Sequence, residues 1–227
     1  MNALPNPLPQ QLADSQFLSG ITDQCRGSVL ACAEYRKIAA KEIIFHGGEK
    51  ATHLFILFSG EAKYYRLNRH GEELLLRWLV PGDVFGIATL LKDPPNYMGS
   101  VQTTKNSEAY IWTHPLIREL SGKYPKLAEN ALRIVIGYLA AFADRHAGLL
   151  TKTAEQRLAH TLVHLGNRAG RIHPTGVEVN ITNEQLGGLA DVGTFTASRV
   201  LSRWERNGAV IKGRGKVLIQ SPEKLLP

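Results

Sequence analysis

"ITNEQLGGLADVGTFTASRVLSRWERNGAVIKGRGKVLIQ", residues 181–220, decides the fold. Thr182 stands before "NEQLGGLADV" as a helix N-cap. Gln185, three residues on, completes a capping box that pairs otherwise orphaned N-terminal N–H groups. This first helix ends near Ala190 and Asp191, and Val192 and Gly193 make the turn. "TFTASRVLSRWERNG" follows as a second helix, closed by Gly208 as its C-terminal cap. "AVIKGRGKVLIQ" reads as a hairpin turning on Gly213, Arg214 and Gly215. With "VEVNI" (177–181) as a short strand in front, the order is strand, helix, tight turn, helix, hairpin. That is a winged helix-turn-helix.

The second helix carries the chemistry. Val200, Leu201 and Trp204 form its apolar face. The other face presents Thr194, Phe195, Ser198 and Arg199, then Arg203 and Arg206, with Glu205 as its one acid. A solvated helix normally mixes in more acids, so this face fits a polyanion better than bare water. Arg199 has the fork that pairs with guanine O6 and N7 in a major groove, and Phe195 suits a thymine methyl. Thr182 and Thr196, beside helix-start N–H groups, suit phosphates, as do Arg214 and Lys216 on the wing.

Charge agrees. The chain has 227 residues, a net charge of +7 and a pI near 9.5. From 151 to 227 there are eleven Lys/Arg against six Asp/Glu, so most of the excess lies in the last third. Such a surplus points to a polyanionic partner, here double-stranded DNA. No apolar run reaches the ~18 residues of a membrane span, and the start lacks a basic, then apolar, leader. The expected setting is cytoplasmic, with no membrane partner.

Upstream the texture changes. Residues 5–33 read as loop and short helices around Leu12, Phe17, Leu18 and Leu30. From Glu34 to Trp112, β-branched and aromatic runs alternate with glycine turns at roughly the 8–12-residue spacing of an antiparallel barrel or sandwich. "KYYRLNRHGEELLLRWL" reads as a hairpin, with strands either side of 68–71. Residues 115–124 suggest a short helix broken at Pro125.

Then comes "KLAENALRIVIGYLAAFADRHAGLL", in which Leu132, Val135, Leu139, Phe142, His146 and Leu149 step by 3, 4, 3, 4, 3. This heptad seam must be buried, either on the chain's own barrel or against the same helix of a second copy. The second is the expected one, giving a homodimer. The fold class is therefore α+β: an antiparallel β-roll, jelly-roll-like, over 1–125, a dimerisation helix and hinge over 126–150, and a winged helix-turn-helix over 151–227.

Neither metal nor catalysis is expected. Cys25 and Cys32 are too few for a disulfide framework or a four-thiolate site, and read as two buried reduced thiols rather than a redox pair. His160 and His164 share a helical face without a third ligand. His46, His53 and His70 lie on or near strands, but lack the His-x-His spacing of a catalytic cup.

These pieces in this order resemble the Crp/Fnr family of bacterial transcription regulators. The likeness runs from about Phe17 to Leu225. It rests on the helix-turn-helix and on "FHGGEKATHLFILFSGEAKYYRLNRHGEELLLRWLVPGDVFG" (45–86), with its Gly-Glu, Ser-Gly and Pro-Gly-Asp-x-Phe-Gly turns. The resemblance implies a roll that binds an effector, a helix that pairs two chains and a winged domain that binds an inverted-repeat DNA site. If the protein activates, RNA polymerase is a further partner.

The resemblance also exposes departures. In cyclic-AMP-binding members a Gly-Glu pair begins the phosphate cassette and an Arg-Ser pair holds the cyclic phosphate. Here Gly86 is kept, but Ile87 stands at the Glu position, and Tyr97 and Met98 at the Arg-Ser positions. A buried monoanion without countercharge costs several kcal/mol, so cyclic AMP is not the expected effector. Two cysteines also cannot ligate an iron–sulfur cluster.

The expected pocket is apolar: Gly86, Ile87, Ala88, Leu90, Tyr97 and Met98. Three readings of it stand: a small uncharged effector, no ligand, or a haem, since "DPPNYMGSVQT" resembles nitric-oxide-responsive, haem-linked members. On the recognition helix the family's Arg-Glu-x-x-x-Arg becomes Thr194, Phe195 and Arg199. That implies a half-site altered where the Glu would read cytosine.

Overall fold

The computed structural model describes residues 15–225; Leu12 lies outside them. Contacts divide the chain into two compact units at Ala140/Ala141.

In the first unit, a 3-10 turn (Gln16–Leu18) and helix α1 (Asp23–Ala31) precede eight strands: β1 (Glu34–Ile38), β2 (Ile43–Phe45), β3 (His53–Ser59), β4 (Ala62–Leu67), β5 (Glu73–Leu79), β6 (Val84–Phe85), β7 (Ser100–Thr103) and β8 (Ser107–Thr113). They form two antiparallel four-stranded sheets, β1-β8-β3-β6 and β2-β7-β4-β5. β4 and β5 make the expected hairpin.

Alternation along β3 and β8 gives each strand two apolar faces. Phe55, Leu57, Ala109 and Ile111 face the roll interior with Phe45, Phe85 and Tyr97. Leu54, Ile56, Tyr110 and Trp112 face the other way, onto Leu30 of α1 and onto the helices that follow the roll. Those are α2 (His114–Lys123) and α3 (Pro125–Thr151). Two buried polar side chains seal this outer core. Trp112 Nε1 donates to Val29 O at 2.9 Å, and Asn130 Nδ2 donates to Phe17 O at 3.0 Å and Ser19 O at 2.7 Å.

α3 matches the expected long helix and carries two apolar stripes. Leu127, Ala131 and Ile134 are buried in the outer core of the roll. The heptad seam is a separate stripe: Leu132, Val135, Leu139, Phe142, His146 and Leu149 are all exposed, with Leu139 at 66%. The division at Ala140/Ala141 falls inside this helix. Its first half is claimed by the roll. In its second half Arg145 pairs with Asp191, 3.7 Å away, within the second unit.

The second unit continues with α4 (Ala154–Ala169), β9 (Arg171–His173), β10 (Gly176–Val179), α5 (Asn183–Leu189), α6 (Thr194–Arg206), β11 (Val210–Gly213) and β12 (Lys216–Ile219). The expected capping box forms, Thr182 with Gln185, and a second one pairs Thr153 with Gln156 at the start of α4. Gly208, at φ 72°, closes α6 in the left-handed region that glycine enters without strain. The sheet order is β11-β12-β10-β9.

Two expectations need correction. β9 pairs with β10 and adds a strand that the sequence reading lacked. The cysteines are not two buried thiols: Cys25 is half-buried and Cys32 exposed, because α1 ends at Ala31 and leaves Cys32 as its C-cap.

Candidate functional site

α6 is amphipathic as its sequence requires. Ala197, Val200, Leu201 and Trp204 are buried. Thr194, Phe195, Arg199 and Arg206 are exposed, Phe195 at 91%. Thr196 and Ser198 are half-buried at the margin. Arg199 and Arg206 have no hydrogen-bond or ion-pair partner among the described residues. The first turn of α6 carries no acid and no side-chain cap, so its N–H groups and the positive end of its dipole stay open.

Three of the expected contacts are otherwise engaged. Arg203 forms an ion pair with Glu155 of α4, whose other oxygen accepts from Trp204 Nε1 at 3.0 Å. Lys216 donates to Glu178 at 2.6 Å across the sheet, and its ammonium holds the Glu178 carboxyl below the usual range. Both cations follow acids that share their surface, so they build the scaffold before they meet a phosphate. Thr182 is likewise occupied, as its hydroxyl accepts from Gln185 N at 3.1 Å.

The wing is fixed to the same helix. Glu205 of α6 accepts from Lys212 N at 3.0 Å and pairs with its Nζ at 3.2 Å. The backbone N–H of Lys212 is the main reason that the Glu205 carboxyl lies below its ordinary pKa. Lys212 Nζ also donates to Ser202 Oγ at 2.9 Å. The hairpin tip with Arg214 is thus held relative to Phe195 and Arg199. Arg214 is exposed and has no partner among the described residues.

Sequence reasoning missed Arg157. Its guanidinium donates to Ala190 O at 3.0 Å, Asp191 O at 3.1 Å and Lys152 O at 2.9 Å. Asp191 sits at φ 52°, where a residue with a Cβ is strained. One side chain therefore ties the α5–α6 turn to the end of α3. Backbone carbonyls far along the chain leave no trace in local sequence, so nothing in the pattern singled it out.

The six residues expected to form one effector pocket are not brought together. Gly86 (φ 76°) starts the 3-10 turn Ile87–Leu90, and a Cβ there would lie 2.4 Å from His53 O. A 3-10 turn splits its side chains. Ala88 packs towards the roll interior, while Ile87 and Leu90 pack into the outer core beside α2 and α3. Met98 points out, 77% exposed. Tyr97 alone enters fully: it is 7% exposed and stacks on Phe45 with ring centroids 3.7 Å apart. Phe55 and Phe85 stack beside them at 4.9 Å.

No Lys, Arg, Asp or Glu is buried among the described residues, and the roll interior is a chamber packed with Phe45, Phe55, Phe85 and Tyr97. No histidine is buried among the described residues, and half-buried His53 has its ring centroid 6.1 Å from that of Phe55. No group of three or more metal-ligating side chains occurs among the described residues. No helix among them is long and apolar enough to cross a membrane.

Comparison with known proteins matches both units. Residues 35–124 match the cyclic nucleotide-binding domain family, and 156–227 match the Crp-like helix-turn-helix domain. The chain is 26% identical to electron transport regulator A of Shewanella oneidensis over 83% of its own length and 76% of the relative's. Two solved structures share the fold. The c-di-GMP responsive global regulator CLP of Xanthomonas campestris superposes with a TM-score of 0.75 at 18% identity, covering 87% of this chain and 99% of that one. FixK2 of Bradyrhizobium japonicum gives 0.72 at 20% identity, covering 85% and 95%.

Proposed function

The chain belongs to the Crp/Fnr family of DNA-binding transcription regulators, and we propose that it acts as a homodimer reading an inverted repeat in double-stranded DNA, with no cyclic AMP as effector. The observation that carries this reading is the exposed face of α6. Phe195 and Arg199 project together, unpaired, from a helix whose other side is buried. A helix so presented enters a major groove, about 12 Å wide.

Arg199 takes guanine O6 and N7, and Phe195 packs on a thymine methyl. Arg214 holds a phosphate from the wing, as do the open N–H groups at the start of α6. Phenylalanine has no acceptor for a cytosine amino group, so the half-site departs from one read by a glutamate at this position. RNA polymerase is the partner if the bound protein activates. We read the roll as regulatory and not catalytic, in keeping with relatives that are regulators.

The exposed seam of α3 supports the homodimer. Leu132, Val135, Leu139, Phe142 and Leu149 leave an apolar stripe that a lone chain keeps in water, and a second copy buries it with the same stripe. His146 sits in the stripe as its polar member. Two recognition helices then lie one helical turn apart, ~34–36 Å.

Two measurements bear on the finer points. Arg214→Ala weakens binding to every duplex alike and lowers the salt dependence, because a phosphate contact carries no sequence information. A loss confined to one sequence would assign Arg214 to base readout instead. Calorimetry with cyclic AMP or cyclic GMP gives no binding at micromolar concentration. Micromolar heats would favour a cyclic-nucleotide-binding module.

A further inference from the structure

In the roll, one hydroxyl bridges three backbone groups of β3 and the residue before it. Tyr97 Oη accepts from Thr52 N at 3.2 Å and His53 N at 3.0 Å, and donates to His53 O at 3.0 Å. The same carbonyl accepts from Thr89 Oγ1 at 2.9 Å. Thr89 is the buried residue of the 3-10 turn that Gly86 starts. That turn places Ile87 and Leu90 on the outer core, whose buried members include Leu127, Ala131 and Ile134 of α3. A continuous set of contacts thus runs from a ring in the chamber, through His53 O and the turn, to the helix that carries the exposed seam.

The ring is held at both ends. Its face lies on Phe45, and its backbone is paired across to the facing loop. Tyr97 N donates to Glu49 O at 2.8 Å, and Gly48 N donates to Tyr97 O at 2.8 Å. Any small molecule entering the chamber must displace this ring and replace three hydrogen bonds. It competes with a group already tethered in place, whose effective concentration greatly exceeds that of a dilute metabolite. A ligand shifts a conformational equilibrium only through its differential affinity for the two states, and here the chain supplies that interaction itself.

We infer that Tyr97 is a built-in occupant of the roll interior, which holds the turn at Gly86–Leu90 in its ordered arrangement and makes DNA binding independent of a small-molecule effector. The second half of this statement rests on the reading of the chain as a DNA-binding regulator. The first half does not.

The test uses the full chain and p-cresol, a free copy of the tyrosine side chain. Tyr97→Ala opens an apolar, ring-sized cavity with polar partners at its end, and such cavities take up small aromatics. Thermal melting should show the variant destabilised, with millimolar p-cresol raising its melting temperature and leaving the wild type unchanged. Wild-type protein without added small molecules should bind its selected duplex, and cyclic AMP, cyclic GMP or c-di-GMP should alter that affinity less than twofold. Tyr97→Ala should bind the duplex at least tenfold more weakly, with p-cresol restoring most of the loss.

If the alanine variant does not fold, Tyr97→Phe keeps the ring and removes only the hydroxyl; it should melt lower than wild type and bind DNA several-fold more weakly. The inference is overturned if a cyclic nucleotide or a small-molecule extract of cells raises the wild-type melting temperature or is required for duplex binding. It is also overturned if the alanine variant, or the phenylalanine variant in its place, binds DNA as tightly as wild type. Wild type that binds no duplex under any condition would instead remove the regulator reading, while the melting response to p-cresol would still decide whether the chamber is self-occupied.

Discussion

Leu139→Glu should convert the proposed dimer to monomer and lower affinity for a two-half-site duplex by two orders of magnitude or more. Leu139 is 66% exposed at the middle of the α3 seam, and α3 packs on its own roll through other residues, Leu127, Ala131 and Ile134. The substitution therefore leaves the fold of each unit intact and acts only where a second helix would lie. In a two-fold dimer both copies of residue 139 meet near the axis, so two carboxylates enter the same apolar contact. A buried charge left without a partner costs about 3–5 kcal/mol. Sedimentation measures the mass, and circular dichroism shows that the monomer is folded. A folded Leu139→Glu variant that still sediments as a dimer would place the interface elsewhere.

Arg199→Ala removes the one unpaired guanidinium that projects from the middle of the α6 face. A bidentate contact to guanine is worth about 1–3 kcal/mol, and a homodimer loses it in both half-sites, or ~2–6 kcal/mol in all. Binding to unrelated duplexes should fall much less, because phosphate contacts supply it. The preference at one base pair of each half-site should relax. Competition binding against a panel of single-base variants reads both effects. If the panel keeps its ranking, Arg199 holds a phosphate and some other residue reads the base.

The winged domain was legible because its signals are local. A capping box and a glycine stop each act within a few residues and form where expected, and the hairpin turns at Arg214 and Gly215, within the expected 213–215, with Gly213 already paired in the ladder. The α3 seam was legible for a related reason, since a 3.5-residue repeat needs no partner to be seen. What stayed hidden depends on contacts across the sequence. β9 is three residues long, all exposed and followed by Pro174, so it shows no alternation. Arg203 and Lys216 read as free cations until Glu155 and Glu178 are brought beside them.

The chamber shows the same limit more sharply. Tyr97 and Met98 are neighbours in the chain, yet one fills the roll and the other faces water. Which of the two points inward follows from the pairing of residues 95–97 with 48–51, and that pairing is set by the roll as a whole.

Selection of bound sites from random duplexes by the purified full-length protein tests the central claim most directly. The account predicts enrichment of an inverted repeat whose half-site centres lie one helical turn apart, about 10–10.5 base pairs, with a guanine and a neighbouring thymine in each half. Recovery of unenriched duplex, or of a single half-site without symmetry, would contradict it.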